Sequence, residues 1–300
     1  ATFLAIENPS TDVARYRAGD LDMTNYALPP EQFAKLQKEL PGEVFTTRTL
    51  ATYSYELNNK KAPFDNVNVR KALNLSLDRN VITDKVLGQG QTPTYVFTPT
   101  YIDEGHLIQQ PAYSKEPMAQ RNEEAIKLLE EAGYSKANPL KFSILYNTNE
   151  NQKKVAIAAA SMWKANTKGL IDVKLENQEW KTYIDSRRAG RYDAAHAGWN
   201  ADYNQAKTFG NYFLSNSSNN TAKYANPEYD KAIAESYVAT DAEGRAKAYA
   251  KAEEILAKDF GIVPIFNYVN PRLVKPYVKG YSGKDPQDHI YLRNLYIIKH

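Results

Sequence analysis

The alternation of strand-like and helix-like segments between residues 140 and 199 constrains the fold more than any other feature of the 300-residue chain. LKFSILY (140–146) and LIDVKL (170–175) have the apolar, partly β-branched composition of buried strands, and RYDAAHAGW (191–199) alternates like a third. Between them lie NQKKVAIAAASMWKAN (151–166) and EWKTYIDSRRAG (179–190), each long enough to cross over a sheet as a helix. Strands joined in this way run parallel, so an α/β fold is expected, with ligands outside the carboxyl ends of the strands. Asn147, Asn200 and Asp202 fall at those ends.

The third strand runs into AGWNADYN (197–204). Gly198 lets a ligand or another backbone approach closely, Trp199 offers a rigid apolar wall with one donor, and Asp202 can hold a cation. From the residues alone, an Asp202 that merely caps the following helix is an equal reading.

The remaining chain reads as a strand at 3–6, a helix from Thr11 running into a short strand, and a helix opened by Pro29-Pro30 and closed by Pro41-Gly42. Strands follow at 43–50 and 52–57. A helix capped by Asp65 or Asn66 comes next, then one capped by Asp78 and stopped at Gly88. Residues 91–117 are irregular, 121–133 form an amphipathic helix, and 207–224 read as a polar loop. Two more helices (227–239 and 241–259) precede the apolar strand 261–270. Its internal Pro264 suits an edge or a crossing between lobes. The opening has the character of a chain already inside a domain, and no signal peptide is visible at residues 1–10. Either the protein is cytosolic or the addressing segment is absent.

Several function classes are disfavoured. The charge of +3 comes from 38 basic and 35 acidic residues that are well mixed, which is no phosphate-backbone footprint, so no nucleic-acid partner is expected. No apolar run approaches the ~18 residues of a membrane helix, so no membrane insertion is expected either. There is no Cys, hence neither a disulfide nor a thiolate nucleophile, and the four His at 106, 196, 289 and 300 have no metal spacing. A hydrolase would need a nucleophile, a base and an orienting acid. No G-x-S-x-G is present, and parity puts Asp193 on the strand face opposite His196. No cofactor is expected. The 22 Tyr suit a recognition surface, although most read as amphipathic filler.

NQEWKTYIDSR (177–187), AGWNADYN (197–204), FLSNSSNNTA (213–222) and the ending RLVKPYVKGYSGKDP…YLRNLYIIKH, taken together and in order, resemble the oligopeptide-binding proteins of bacterial peptide ABC transporters. The murein-peptide-binding protein shares much of the pattern. The resemblance covers essentially the whole chain but only the carboxyl-terminal part of a family member. It implies a two-lobed fold of the type II periplasmic-binding-protein kind. Residues 50–270 would form nearly all of the carboxyl-terminal lobe, with 1–49 and 271–300 as pieces of the amino-terminal lobe and crossings near Leu50 and Asn270.

By the same resemblance, short peptides, with murein peptides among the candidates, close between the lobes and pass to permease subunits outside the cytoplasm. Asp202 would pair with the peptide α-ammonium, and Gly198 and Asn200 would bond its backbone as in strand addition. Trp180, Ile184, Trp199 and Tyr268 would line adaptable, water-filled pockets, and Arg187 is the best cation for a ligand carboxylate. An ordinary solvated helix end is the alternative for Arg187. Trp163, at helical spacing with Val155 and Ala159, reads as core.

Some positions depart from the family pattern. Ala51 and Asn200 stand where members often carry Cys, His196 replaces an Arg as a weaker and pH-dependent cation, and Gln152 and Leu87 replace basic residues that pair with carboxylates. Gln205 replaces a Glu. For His196 a satisfied core side chain remains an equal reading. A lobe serving as a scaffold, or as a split half that meets a separate amino-terminal segment, is the alternative function.

Overall fold

In the computed structural model, which describes every residue except Glu7, Tyr26 and His300, the chain is organised by one long ribbon. Helices α1 (Pro9–Ala18) and α2 (Pro30–Glu39) lead into β1 (Val44–Leu57). Helix α3 (Val67–Leu75), a π-helical turn (Val81–Leu87), the two-residue β2 (Thr92–Pro93) and α4 (Met118–Glu131) follow. Then come β3 (Leu140–Asn147), α5 (Glu150–Asn166), β4 (Ile171–Gln178), α6 (Trp180–Arg188) and β5 (Ala194–Asn200). The short α7 (Lys207–Gly210), α8 (Pro227–Val238), α9 (Ala242–Lys258), the long β6 (Ile262–Leu273) and the two-residue strands β7 (Val278–Lys279) and β8 (Tyr296–Ile297) complete the order.

The main sheet runs β2-β6-β1-β5-β3-β4. As the crossover lengths require, β3 pairs in parallel with β4 and with β5, whereas β1 is antiparallel to both β5 and β6. The expected strands at 43–50 and 52–57 are one continuous strand. Its ladder with β6 breaks between Arg48 and Thr52 and again between Tyr53 and Ser54. Pro264, which cannot donate to a ladder, sits opposite Ser54 at that second irregularity. Its carbonyl is taken by the fully buried Arg79 at 2.7 Å, a side chain that also donates to the carbonyls of Thr94 and Asn74.

Side-chain alternation along β1 separates two cores. Tyr53, Tyr55 and Leu57 face α3, α4 and α5 in a cluster that includes Phe142, Ile144 and Trp163, with the Trp163 indole donating to the Leu73 carbonyl at 2.9 Å. Trp163 is therefore core, as its spacing predicts. Leu50 belongs to the opposite cluster with Phe209, Phe213, Ile233 and Leu256 from α7, α8, α9 and the turn after α7. A third, smaller cluster joins Val13, Tyr16, Leu28, Phe33, Leu36 and Leu273.

The structure corrects three expectations. Residues 3–6 pair with no strand among the described residues, and Phe3 is exposed. The first helix begins at Pro9 rather than Thr11, because Asn8 caps it through the Ser10 amide and Pro9 sits at the first helical position. Residues 207–213 are not a polar loop: α7 and a 3-10 turn (Asn211–Phe213) bury Phe209, Tyr212 and Phe213.

Candidate functional site

The site grows from the free edge of β5. Pairing with β3 covers only Ala194 and Ala195, so from His196 to Asn200 the edge facing away from β1 has no strand partner among the described residues. The other edge pairs with β1 over its whole length, Ala51 opposite Asn200 through Leu57 opposite Ala194. The bonds Asn58 N to Asp193 O (3.0 Å) and Ala201 N to Leu50 O (2.8 Å) lie in the same register at the two ends of that ladder. Odd-numbered residues of β5 therefore turn their N–H and C=O toward β1, and His196, Gly198 and Asn200 turn theirs to the open edge. The His196 carbonyl is taken by the Tyr183 hydroxyl. Gly198 and Asn200 are left facing outward. A Cβ on Gly198 would come within 3.1 Å of the Tyr268 hydroxyl, so a larger residue there would push that hydroxyl back by a few tenths of an ångström.

Asp202 lies just beyond this edge, exposed. Its Oδ2 accepts from the Thr208 hydroxyl at 3.0 Å, and no Lys or Arg pairs with it among the described residues. It caps no helix: α7 has Ala206 at its N-cap and no side-chain cap bond. Trp199 is half-buried, with its indole donating to Thr208 at 3.2 Å and its ring edge-on to Tyr212. Trp180, at the start of α6, is 61% exposed and packs beside Tyr183; Ile184, one turn on, is half-buried against Leu145, Tyr183, Tyr192 and Ala195. Asn147 ends β3 and Gln152 lies in the first turn of α5, each with a buried side-chain oxygen that no hydrogen bond reaches.

Two expected cations take other roles. Arg187 is not a free carboxylate receptor: its Nη2 donates to Glu56 (2.9 Å), Tyr212 (3.2 Å) and Thr221 (3.1 Å), and the Glu56 side chain is fully buried. Burial works against the guanidinium's charge, but the adjacent Glu56 carboxylate outweighs it and raises the pKa well above the usual value. His196 is not a pH-dependent cation in the working range. Burial first, and then the positive charge of Arg187, push its pKa down to about 3. It is a neutral imidazole stacked on Tyr183 and tilted against Tyr53, with hydroxyls of Tyr183 and Tyr268 3.4 Å from its two nitrogens. Leu87 is buried core.

The His196 environment carries a pH signature. A base whose pKa is lower folded than unfolded binds a proton more readily in the unfolded chain, so its contribution is complete above the ordinary value of 6.5 and is lost as pH falls toward about 3. The expected slope is one proton, about 1.4 kcal/mol per pH unit. Urea midpoints from pH 7 to 4 for the wild type and His196→Gln test this. The variant should lose the part of the slope that His196 supplies, and an unchanged slope would put the protonation elsewhere.

A free strand edge, aromatic walls and one exposed carboxylate lie together, groups whose chemistry matches an extended ligand that carries a cation. Residues 1–221 match the model of the bacterial extracellular solute-binding proteins, family 5, and the chain belongs to that family. The α/β fold, of the type II periplasmic-binding-protein kind, agrees with this assignment. Among its relatives, the periplasmic oligopeptide-binding protein OppA of Haemophilus influenzae is 95% identical over 300 residues, which are all of this chain and 56% of that protein. A crystal structure of H. influenzae OppA in complex with RPPGFSPFR superposes with a TM-score of 0.94 at 94% identity, over 99% of this chain and 58% of that one. The murein tripeptide binding protein MppA of Escherichia coli gives 0.92 at 43% identity, again over 99% and 58%. The chain thus spans little more than half the length of these relatives, which are named for binding and not for catalysis.

Three features of the site escaped sequence reading. Thr208 lies in a stretch read as loop, and Tyr183 in the helix between two quoted site residues. Glu56 carried a usable signal, since a lone carboxylate within the apolar strand TYSYEL requires a buried cation.

Proposed function

We propose that this chain is the ligand-holding portion of an extracytoplasmic, non-enzymatic solute-binding protein that captures short peptides in the periplasm for delivery to an ABC permease. The observation that carries the reading is the open edge of β5: Gly198 and Asn200 present main-chain groups outward immediately before Asp202. A peptide added there as a strand bonds through its backbone, which makes binding indifferent to side-chain identity. Its α-ammonium meets Asp202, and its side chains fall between Trp180, Ile184, Trp199 and Tyr268, with Asn147 and Gln152 as polar partners at the next strand end. The complex of H. influenzae OppA with RPPGFSPFR supports the same ligand class, and the name of the E. coli murein peptide-binding protein MppA adds murein peptides to it.

We further infer that the lobes meet at Leu50 and Asn270. Residues 1–49 and 271–300 would then belong to an amino-terminal lobe, and 50–270 to the carboxyl-terminal one. Supporting this are the break in the β1–β6 ladder after Arg48 and the separate small core of Val13, Tyr16, Leu28, Phe33, Leu36 and Leu273. The alternative, a split half that docks onto a separate amino-terminal segment, is favoured by the exposed Phe3, Leu4, Leu292, Tyr296 and Ile297.

Isothermal titration with RPPGFSPFR and its N-acetylated form tests the proposal. The free-amine peptide should bind at least about tenfold more tightly, since acetylation removes the charge and leaves Asp202 unpaired. Equal binding of both forms, or of neither, would overturn it. A chain that binds only when an amino-terminal segment is supplied would move the split-half reading ahead.

A further inference from the structure

Asp202 and Trp199, the charge and the wall of the candidate site, are joined through a single buried hydroxyl. The Thr208 Oγ1 donates to Asp202 Oδ2 (3.0 Å) and lies within accepting distance of the Asp202 backbone N–H (3.3 Å) and the Trp199 indole N–H (3.2 Å). A hydroxyl has one proton and two lone pairs, so these three bonds use its whole capacity. The residue is 4% exposed, whereas the Asp202 it holds is exposed. We infer that Thr208 is the positioning residue of the ammonium site, fixing the Asp202 carboxylate and the Trp199 ring as one preorganised unit that recognises a free primary amine.

The surrounding chain is built to hold that hydroxyl still. Phe209, the next residue, is fully buried against Phe97. The loop carrying Asp202 is tied to residues 101–105 by Ala206 N to Asp103 O (2.9 Å) and Asp103 N to Asn204 Oδ1 (3.2 Å). The Arg245 side chain in turn holds Glu104 at 2.7 Å. With Oδ2 occupied by Thr208, Oδ1 of Asp202 has no partner among the described residues and is the atom left to accept from an ammonium. Preorganisation matters here because an exposed Asp without a tether must give up its rotamer freedom when ligand arrives.

This inference rests on the peptide reading above, and its test separates the two. Thr208→Val keeps shape and removes the hydroxyl. Affinity for RPPGFSPFR should fall on the order of tenfold and that of the N-acetylated peptide by clearly less, because the acetylated peptide loses only the Trp199 part of the tether and not the charged contact. Thr208→Ser should restore the wild-type difference, and Thr208→Ala, which adds no volume, should repeat the Val result if the Val variant packs poorly. The indole N–H of Trp199, one of three Trp in the chain, should shift in a nitrogen-correlated NMR spectrum of the Val variant and return with Ser. Equal losses for both peptides, no loss for either, or failure of Ser to rescue would overturn the positioning role alone. A wild type that does not prefer the free amine would overturn it together with the Asp202 contact.

Discussion

Replacing Asp202 by Asn is expected to weaken binding of a free-amine peptide about a hundredfold, with the thermal midpoint of the apo chain unmoved. The argument is one of charge at constant shape. Asn keeps a carbonyl oxygen able to accept from the Thr208 hydroxyl, so the loop and the Trp199 contact survive. It loses the negative charge that nothing else on this edge supplies: among the described residues Asp193, the other carboxylate of this stretch, is paired with Lys61 and bonded to Ser143. If the proposed peptide covers Asp202, breaking the buried pair costs about 2–5 kcal/mol, and a hundredfold is about 2.7 kcal/mol. The measurement is titration of RPPGFSPFR into both proteins at two salt concentrations. The wild-type affinity should fall at high salt and the residual affinity of the Asp202→Asn variant should not. A loss smaller than about threefold would remove Asp202 from the site, since a pair covered by ligand must exceed the about 0–1 kcal/mol of an exposed one.

Much of this arrangement is legible locally. The parallel crossovers from residues 140 to 199 follow from segment lengths, and parity along β5 groups His196, Gly198 and Asn200 together, whereas the edge they face is set by pairing with the distant β1. The side chains are different. Arg187 reads as a surface cation because its helix end, Arg187-Arg188, looks solvated. Its partner Glu56 lies 131 residues away, beyond any local periodicity. His196 reads as a titrating cation until Tyr53, Tyr183 and Tyr268, from three other elements, enclose it. The polar letters of 207–224 conceal Phe209, Tyr212 and Phe213, whose burial is decided by helices α8 and α9 that come later in the chain. What the sequence withholds is therefore mainly the set of charges that long-range packing neutralises, and this is the set that determines which cations and anions remain for a ligand.

Arg187→Met is expected to cost about 3–5 kcal/mol of stability, the range for breaking a buried pair by removing one partner. Glu56 lies at 0% exposure in β1 and receives Arg187, the Tyr212 hydroxyl (2.7 Å) and the Thr221 hydroxyl. The hydroxyls alone cannot neutralise its charge. Met fills most of the volume of Arg, so the cost would reflect the uncompensated carboxylate and not a cavity. A second substitution, Glu56→Gln in the Arg187→Met background, should recover a large part of the loss. The coupling energy from the double-mutant cycle by urea denaturation measures the pair directly. If the pair is structural, the peptide affinity of the double variant should stay within a few-fold of wild type once it is folded, because α6 still carries Trp180 and Tyr183 to the open edge of β5. If Arg187 instead receives a ligand carboxylate, the double variant would be stable and yet bind a carboxyl-terminal amide and a free acid equally, while the wild type would prefer the acid. Near-zero coupling together with that lost preference would reverse the assignment made from the geometry.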